Sequence, residues 1–146
     1  MTYEEYEQQC KSERESNEEY LKEFESDMNE DGLSANTISR HLSNIDFYIN
    51  EYLLREEPLG MREGCYRVDD FLGYFFIRKC MWSTPGTIKS TAASLKKFYK
   101  YMVSKGNIQK DEYQELCDTI KENMDVWQDS CERFNNPSLE NPFGYI

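Results

Sequence analysis

Between Tyr6 and Phe134 the apolar residues recur at intervals of three and four, and they never alternate with polar ones over a strand's length. A period near 3.6 gathers such residues on one face of a helix, whereas a half-buried strand needs a period of two. That pattern restricts the chain to an all-α fold, a bundle of about five helices by its stop signals.

The first helix runs from about Tyr3 to Glu30, with Tyr6, Cys10, Asn17, Leu21, Phe24 and Met28 in step. Its first half is weakly apolar and is expected to project or pack loosely. Gly32, in "EDGL", supplies a left-handed stop. Ser34 caps a second helix whose buried stripe reads Ile38, Leu42, Ile45, Ile49 and Leu53. Pro58, Gly60 and Gly64 break it. A short third helix in "VDDFLGYFFIRKCMW", from near Asp69, is apolar on more than one side and so reads as central. Ser83 or Thr84 caps the fourth, which has Pro85 and Gly86 in its first turn and Gly106 at its end. Asp111 opens the fifth, with Tyr113, Leu116, Ile120, Met124, Trp127, Cys131 and Phe134 as its stripe. The core is expected to contain Leu42, Ile45, Phe71, Phe75, Leu95, Phe98 and Trp127. Residues 137–146 read as a tail whose prolines forbid a helix, although Phe143, Tyr145 and Ile146 are apolar enough to dock on the bundle.

A chain of 146 residues is one domain's worth, here residues 1–136 followed by the tail. Aromatic residues at 14% argue against a disordered acidic segment. No stretch approaches the length of a membrane helix. The N-terminus has neither the basic start nor the apolar run of a signal peptide, so the expectation is a cytoplasmic protein without a membrane partner. The five cysteines include no C-x-x-C pair and lie mostly beside apolar residues, which reads as buried free thiols rather than a metal or redox site. No Gly-rich phosphate loop, H-E-x-x-H or nucleophile elbow occurs. The expectation is therefore no enzyme, no cofactor and no metal.

The formal net charge is −11, yet its distribution says more than the total. Residues 71–110 carry eight basic residues and no acid, while residues 1–31 hold 12 acids against 3 bases and residues 111–146 hold 9 against 2. On the wheel of the fourth helix, Ile88, Ala92, Leu95, Tyr99 and Met102 share one face. Lys89, Lys96 and Lys100 share another, flanked by Lys97 and Ser90, with the small Ala93 between them. A solvated face would ordinarily mix signs. The second helix shows a matching polar face of Thr37, Arg40, His41, Asn44 and Tyr48, without a carboxylate. These are phosphate-binding and base-reading residue types.

Three stretches in order, "GLSANTISRHLSNIDFYINEYL", "VDDFLGYFF" and "STPGTIKSTAASLKKFYKYMVSKGNI", resemble the N-terminal core-binding domain of tyrosine recombinases and phage integrases. Gly32, Leu33, Ser34 and Thr37 match one motif of that family; Ser83, Thr87, Ile88, Leu95, Phe98, Tyr99, Gly106 and Ile108 match another. The likeness covers about residues 18–110, leaving residues 111–136 as an extra acidic helix. It implies a SAM-like helical bundle that clamps duplex DNA with two helices, here the second and the fourth. Thr37, Arg40, His41 and Asn44 would form one DNA-contact set, and Thr87, Lys89, Ser90, Lys96, Lys97 and Lys100 the other. The family's catalytic domain would follow residue 110, where this chain adds one acidic helix, so recombination chemistry is not expected of it. The resemblance implies double-stranded DNA as partner and an accessory role in recombination or integration, with a recombinase or another protein as a second partner. An alternative stays open: a protein-interaction module on the same scaffold, using its acidic helices, with DNA binding lost.

Overall fold

The structure is a computed structural model that describes residues 1–136; the expected docking of Phe143, Tyr145 and Ile146 lies outside the described residues. Its helices are α1 (Tyr3–Glu30), α2 (Ala35–Asp46), α3 (Val68–Asp70), α4 (Phe76–Lys79), α5 (Pro85–Ser104) and α6 (Lys110–Asn135). A π turn, Phe47–Tyr52, extends α2, a second, Phe71–Phe75, joins α3 to α4, and a 3-10 helix occupies Met61–Tyr66. No strand forms among the described residues. The five helices expected from sequence correspond to α1, α2, the α3–α4 run, α5 and α6; the 3-10 helix fills the expected break.

Local chemistry sets the boundaries. Ser34 Oγ accepts the Thr37 backbone N–H at 3.2 Å, and Thr84 Oγ1 accepts that of Thr87 at 3.0 Å. Thr87 Oγ1 in turn accepts the Thr84 N–H at 2.7 Å, so Thr84 rather than Ser83 is the cap of α5. α6 begins at Lys110, one residue before the expected Asp111, because Gln109 is its cap. Gly32 and Gly106 adopt φ of 78° and 77°, the left-handed conformation that glycine takes without steric cost.

The core runs between α5, α6 and the aromatic cluster around Phe71, whose ring lies 4.7 Å from that of Tyr48 and 4.8 Å from that of Tyr52. Ile45, Phe71, Leu95, Phe98 and Trp127 are buried as expected, whereas Leu42 and Phe75 are only partly buried. Leu42 sits at the rim of the α1–α2 groove beside Leu21, and the outer side of Phe75 is covered by the Arg55 guanidinium, 4.8 Å from the ring centre. In α6, Leu116, Ile120, Trp127 and Cys131 are buried, Tyr113 and Met124 partly so, and Phe134 is exposed. Trp127 lies over the backbone of Gly73, where a Cβ would come within 2.7 Å of the indole, and its Nε1–H donates to Asp69 at 2.8 Å. Four of the five cysteines are buried, Cys117 is half-buried, and all are free. Burial pushes the Cys65 and Cys80 thiols up to about 12 and about 11, which keeps them protonated and unreactive.

The first half of α1 is largely exposed, with Cys10 buried, and polar contacts tie it to the chain that follows α2. The last turns of a helix leave carbonyls without intrahelical donors, and α1 supplies donors to those that end the α2–π run. Tyr6 OH donates to Leu54 O, Arg14 Nη2 to Asn50 O at 3.4 Å, and buried Asn17 Nδ2 to Ile49 O at 3.2 Å and Asn50 Oδ1 at 2.8 Å. Weak apolar periodicity there reflects polar capping rather than a missing partner.

Candidate nucleic-acid interface

The two helices singled out by composition pack against each other, α2 on α5. Ile88, Ala92, Leu95, Tyr99 and Met102 are all buried, which turns the other side of α5 to solvent. Lys89, Lys96 and Lys100 are exposed there, with Ala93 exposed between them and Lys97 and Ser90 half-buried on the flank. Arg40 of α2 is exposed as well. Among the described residues, none of these five cations lies within 4.0 Å of a carboxylate, whereas Lys22, Arg55, Arg62 and Arg133 each do. The absence of acids along residues 71–110 thus extends into space.

Two of the sequence candidates serve the helix starts. The hydroxyl of Thr37 accepts from Ser34 Oγ at 2.9 Å, and that of Thr87 belongs to the capping box of α5 and also contacts Trp82 O at 3.2 Å. These contacts position the ends of α2 and α5 and leave the threonines half-buried.

His41 is not the surface residue that its polar neighbours suggest: it is 6% exposed. The buried stripe of α2 runs Ile38, His41, Ile45 and on to Tyr48 and Ile49, one position round from the expected Ile38–Leu42–Ile45 line. That rotation carries the imidazole under α5, where Nδ1 meets Ser94 Oγ at 2.7 Å. Asn44 Nδ2 donates to the same hydroxyl at 3.0 Å, so one buried serine ties the two polar faces together. Burial, then the positive charges of Arg40 and Lys97, hold the His41 pKa below its ordinary value, so the ring is neutral at pH 7. Of the two predicted sets, His41 and Asn44 are the residues that meet the other helix, both on Ser94, and they act first as the joint between α2 and α5.

Sequence reasoning missed Ser94. Its signal was a hydroxyl residue inside the apolar stripe of α5, four residues after Ser90, whose carbonyl lies 3.3 Å from its Oγ. It also missed Trp82, 56% exposed, which with Asn44, Phe47 and Thr91 lines a groove of about 450 Å³ beside the basic face. Asp46 and Glu51 line the same groove, so its lining is not free of acids.

Neither protein-family models nor curated proteins nor solved structures show a significant match to this chain. The likeness to recombinase core-binding domains therefore rests on the motif residues themselves. Among the described residues, no helix is long and apolar enough to cross a membrane.

Proposed function

We propose that the chain is a non-catalytic DNA-binding domain resembling the integrase core-binding domain, acting as an accessory factor in DNA recombination or integration. One observation carries the reading: in a protein of net charge −11, α5 presents three exposed lysines without an acidic partner, beside an equally acid-free face of α2. Phosphates would be repelled by carboxylates there and attracted by what is present instead. The contacts of His41 and Asn44 with Ser94, which join α2 to α5, support a single surface rather than two unrelated patches.

Fluorescence anisotropy on a labelled random-sequence duplex tests this. Binding is expected at about 50 mM salt, weakening steeply as salt rises, because each neutralised phosphate releases condensed counterions. No binding at low salt ends the reading for this chain. The interaction-module alternative draws support from the acids of α1, where Glu4, Glu5, Glu7, Glu15, Glu18 and Glu19 are all exposed. On that reading duplex is ignored, and neutralising those glutamates abolishes capture of a basic partner.

A further inference from the structure

Tryptophan is highly buried on average because its side chain is so large, yet Trp82 is 56% exposed and its neighbour Met81 fully so. The turn that carries them is not loose. Ser83 N–H donates to Cys80 O at 3.1 Å, and Asn135 Nδ2 of α6 donates to Ser83 O at 2.7 Å. The indole stands edge-to-face with Phe47, 5.6 Å between ring centres, and with Phe76 at 6.3 Å. Its N–H meets no acceptor among the described residues. The turn and the two phenylalanines thus fix the ring while more than half of the residue meets solvent. An aromatic anchor ordered beforehand loses little freedom when a partner closes over it, and such anchors dominate interface energetics.

The groove of about 450 Å³ that Trp82 lines combines two chemistries. Phe47, Phe76 and Trp82 supply apolar surface, and Asp46 and Glu51 supply carboxylates. Both acids are exposed, and neither lies within 4.0 Å of a cation among the described residues. They disfavour nucleic acid in this groove, because carboxylates repel phosphates. They disfavour the chain's own residues 137–146 as well, which contain Glu140 and no lysine or arginine. A second copy brings a net charge of −11, and its α5 lysines flank Ala93, a side chain too small to fill the groove.

We infer that the Trp82 groove docks a segment of a partner protein with two features. An aliphatic or aromatic side chain lies against Trp82, Phe47 and Phe76, and a lysine or arginine meets Asp46 and Glu51. The apolar contact supplies affinity, and the charge pairing decides which segments are accepted. None of Lys89, Lys96 and Lys100 lines this groove, and the inference does not rest on duplex binding.

Panning a random dodecapeptide library on the immobilised full chain tests this at about 150 mM salt, where charges more than about 8 Å apart are largely screened. Selected peptides should share an apolar residue next to a lysine or arginine. In 1H–15N NMR they should shift the indole signal of Trp82 and not that of buried Trp127; Trp82→Phe tells the two signals apart. Trp82→Ala should weaken binding about thirtyfold, the scale of an interface anchor. That change also removes packing on Phe47 and Phe76, so the exposed acids give a second measure. Asp46→Asn with Glu51→Gln should weaken binding about tenfold. Asp46→Lys with Glu51→Lys should turn the preference toward acidic peptides, with circular dichroism unchanged. Peptides selected without regard to charge, or bound equally by both double variants, overturn the docking site. A library that yields no binder able to move the Trp82 signal does the same. A Trp82 signal that answers to oligothymidine but not to the basic peptides assigns the groove to base stacking instead. A chain shortened after Asn136 whose Trp82 signal moves assigns it to residues 137–146, and either result overturns the partner segment. Duplex binding is titrated separately, so its failure beside successful peptide binding removes the DNA reading alone.

Discussion

Replacing Lys89, Lys96 and Lys100 together by alanine removes three exposed charges from one face of α5 and touches nothing else. All three lie off the buried stripe, and none lies within 4.0 Å of a carboxylate among the described residues. Folding should barely respond, since exposed substitutions cost within about 0.5 kcal/mol each and alanine is the best helix former. Binding should respond in a particular way. Each phosphate neutralised contributes about −0.9 to the slope of log affinity against log salt, so loss of three contacts flattens it by about 2.7. Over a fourfold rise in salt, from about 50 to about 200 mM, that difference is worth about 40-fold in relative affinity. Wild type and variant should thus converge as salt increases, and the weakening should be alike for every duplex sequence. Anisotropy titrations at four salt concentrations, with circular dichroism as a folding control, give the slope directly. A variant that binds more weakly but keeps the wild-type slope would show that the lysines do not meet phosphates.

Asn44→Ala should alter sequence preference more than salt dependence if the amide reads a base edge, a contrast that competition with different duplexes measures. Leu95→Ala should destabilise the fold by about 2–5 kcal/mol in urea titration, because the side chain is fully buried; a loss below about 0.5 kcal/mol contradicts that packing. Asn17→Ala should cost about 1–3 kcal/mol by stranding the carbonyl of Ile49, and a neutral result would show that this contact does not anchor α1. Glu112 is held at about 2, below its ordinary 4.5, by the Arg62 guanidinium, then by the Gln109 backbone N–H, with Tyr66 OH donating as well. A depressed carboxylate pKa stabilises the fold fully above about pH 4.5, and the contribution is lost as pH falls toward 2. Glu112→Gln should therefore be less stable at pH 7 by about 1–3 kcal/mol, since exposed Arg62 is partly screened. Thermal melts should show the gap narrowing from about pH 4.5 down toward pH 2; a gap constant from pH 7 to pH 3 contradicts the charge-based account.

What the sequence determined by itself was whatever depends on neighbours along the chain. Helix class follows from apolar spacing, the stops at Gly32 and Gly106 from the left-handed conformation, and the caps at Ser34 and at Ser83 or Thr84 from side chains able to reach their own first turn. The basic face of α5 was legible for the same reason, since one buried stripe leaves the opposite side of a helix to solvent. Only the tertiary structure decided which of two adjacent lines on α2 faces inward. Leu42 and His41 differ by one position, and the Ser94 hydroxyl on another helix makes a buried histidine acceptable there. Likewise the polar residues of α1 have a purpose only once the carbonyls of Ile49, Asn50 and Leu54 lie beneath them. A polar group is buried only where its partner is, and the partner here lies more than thirty residues away in the chain.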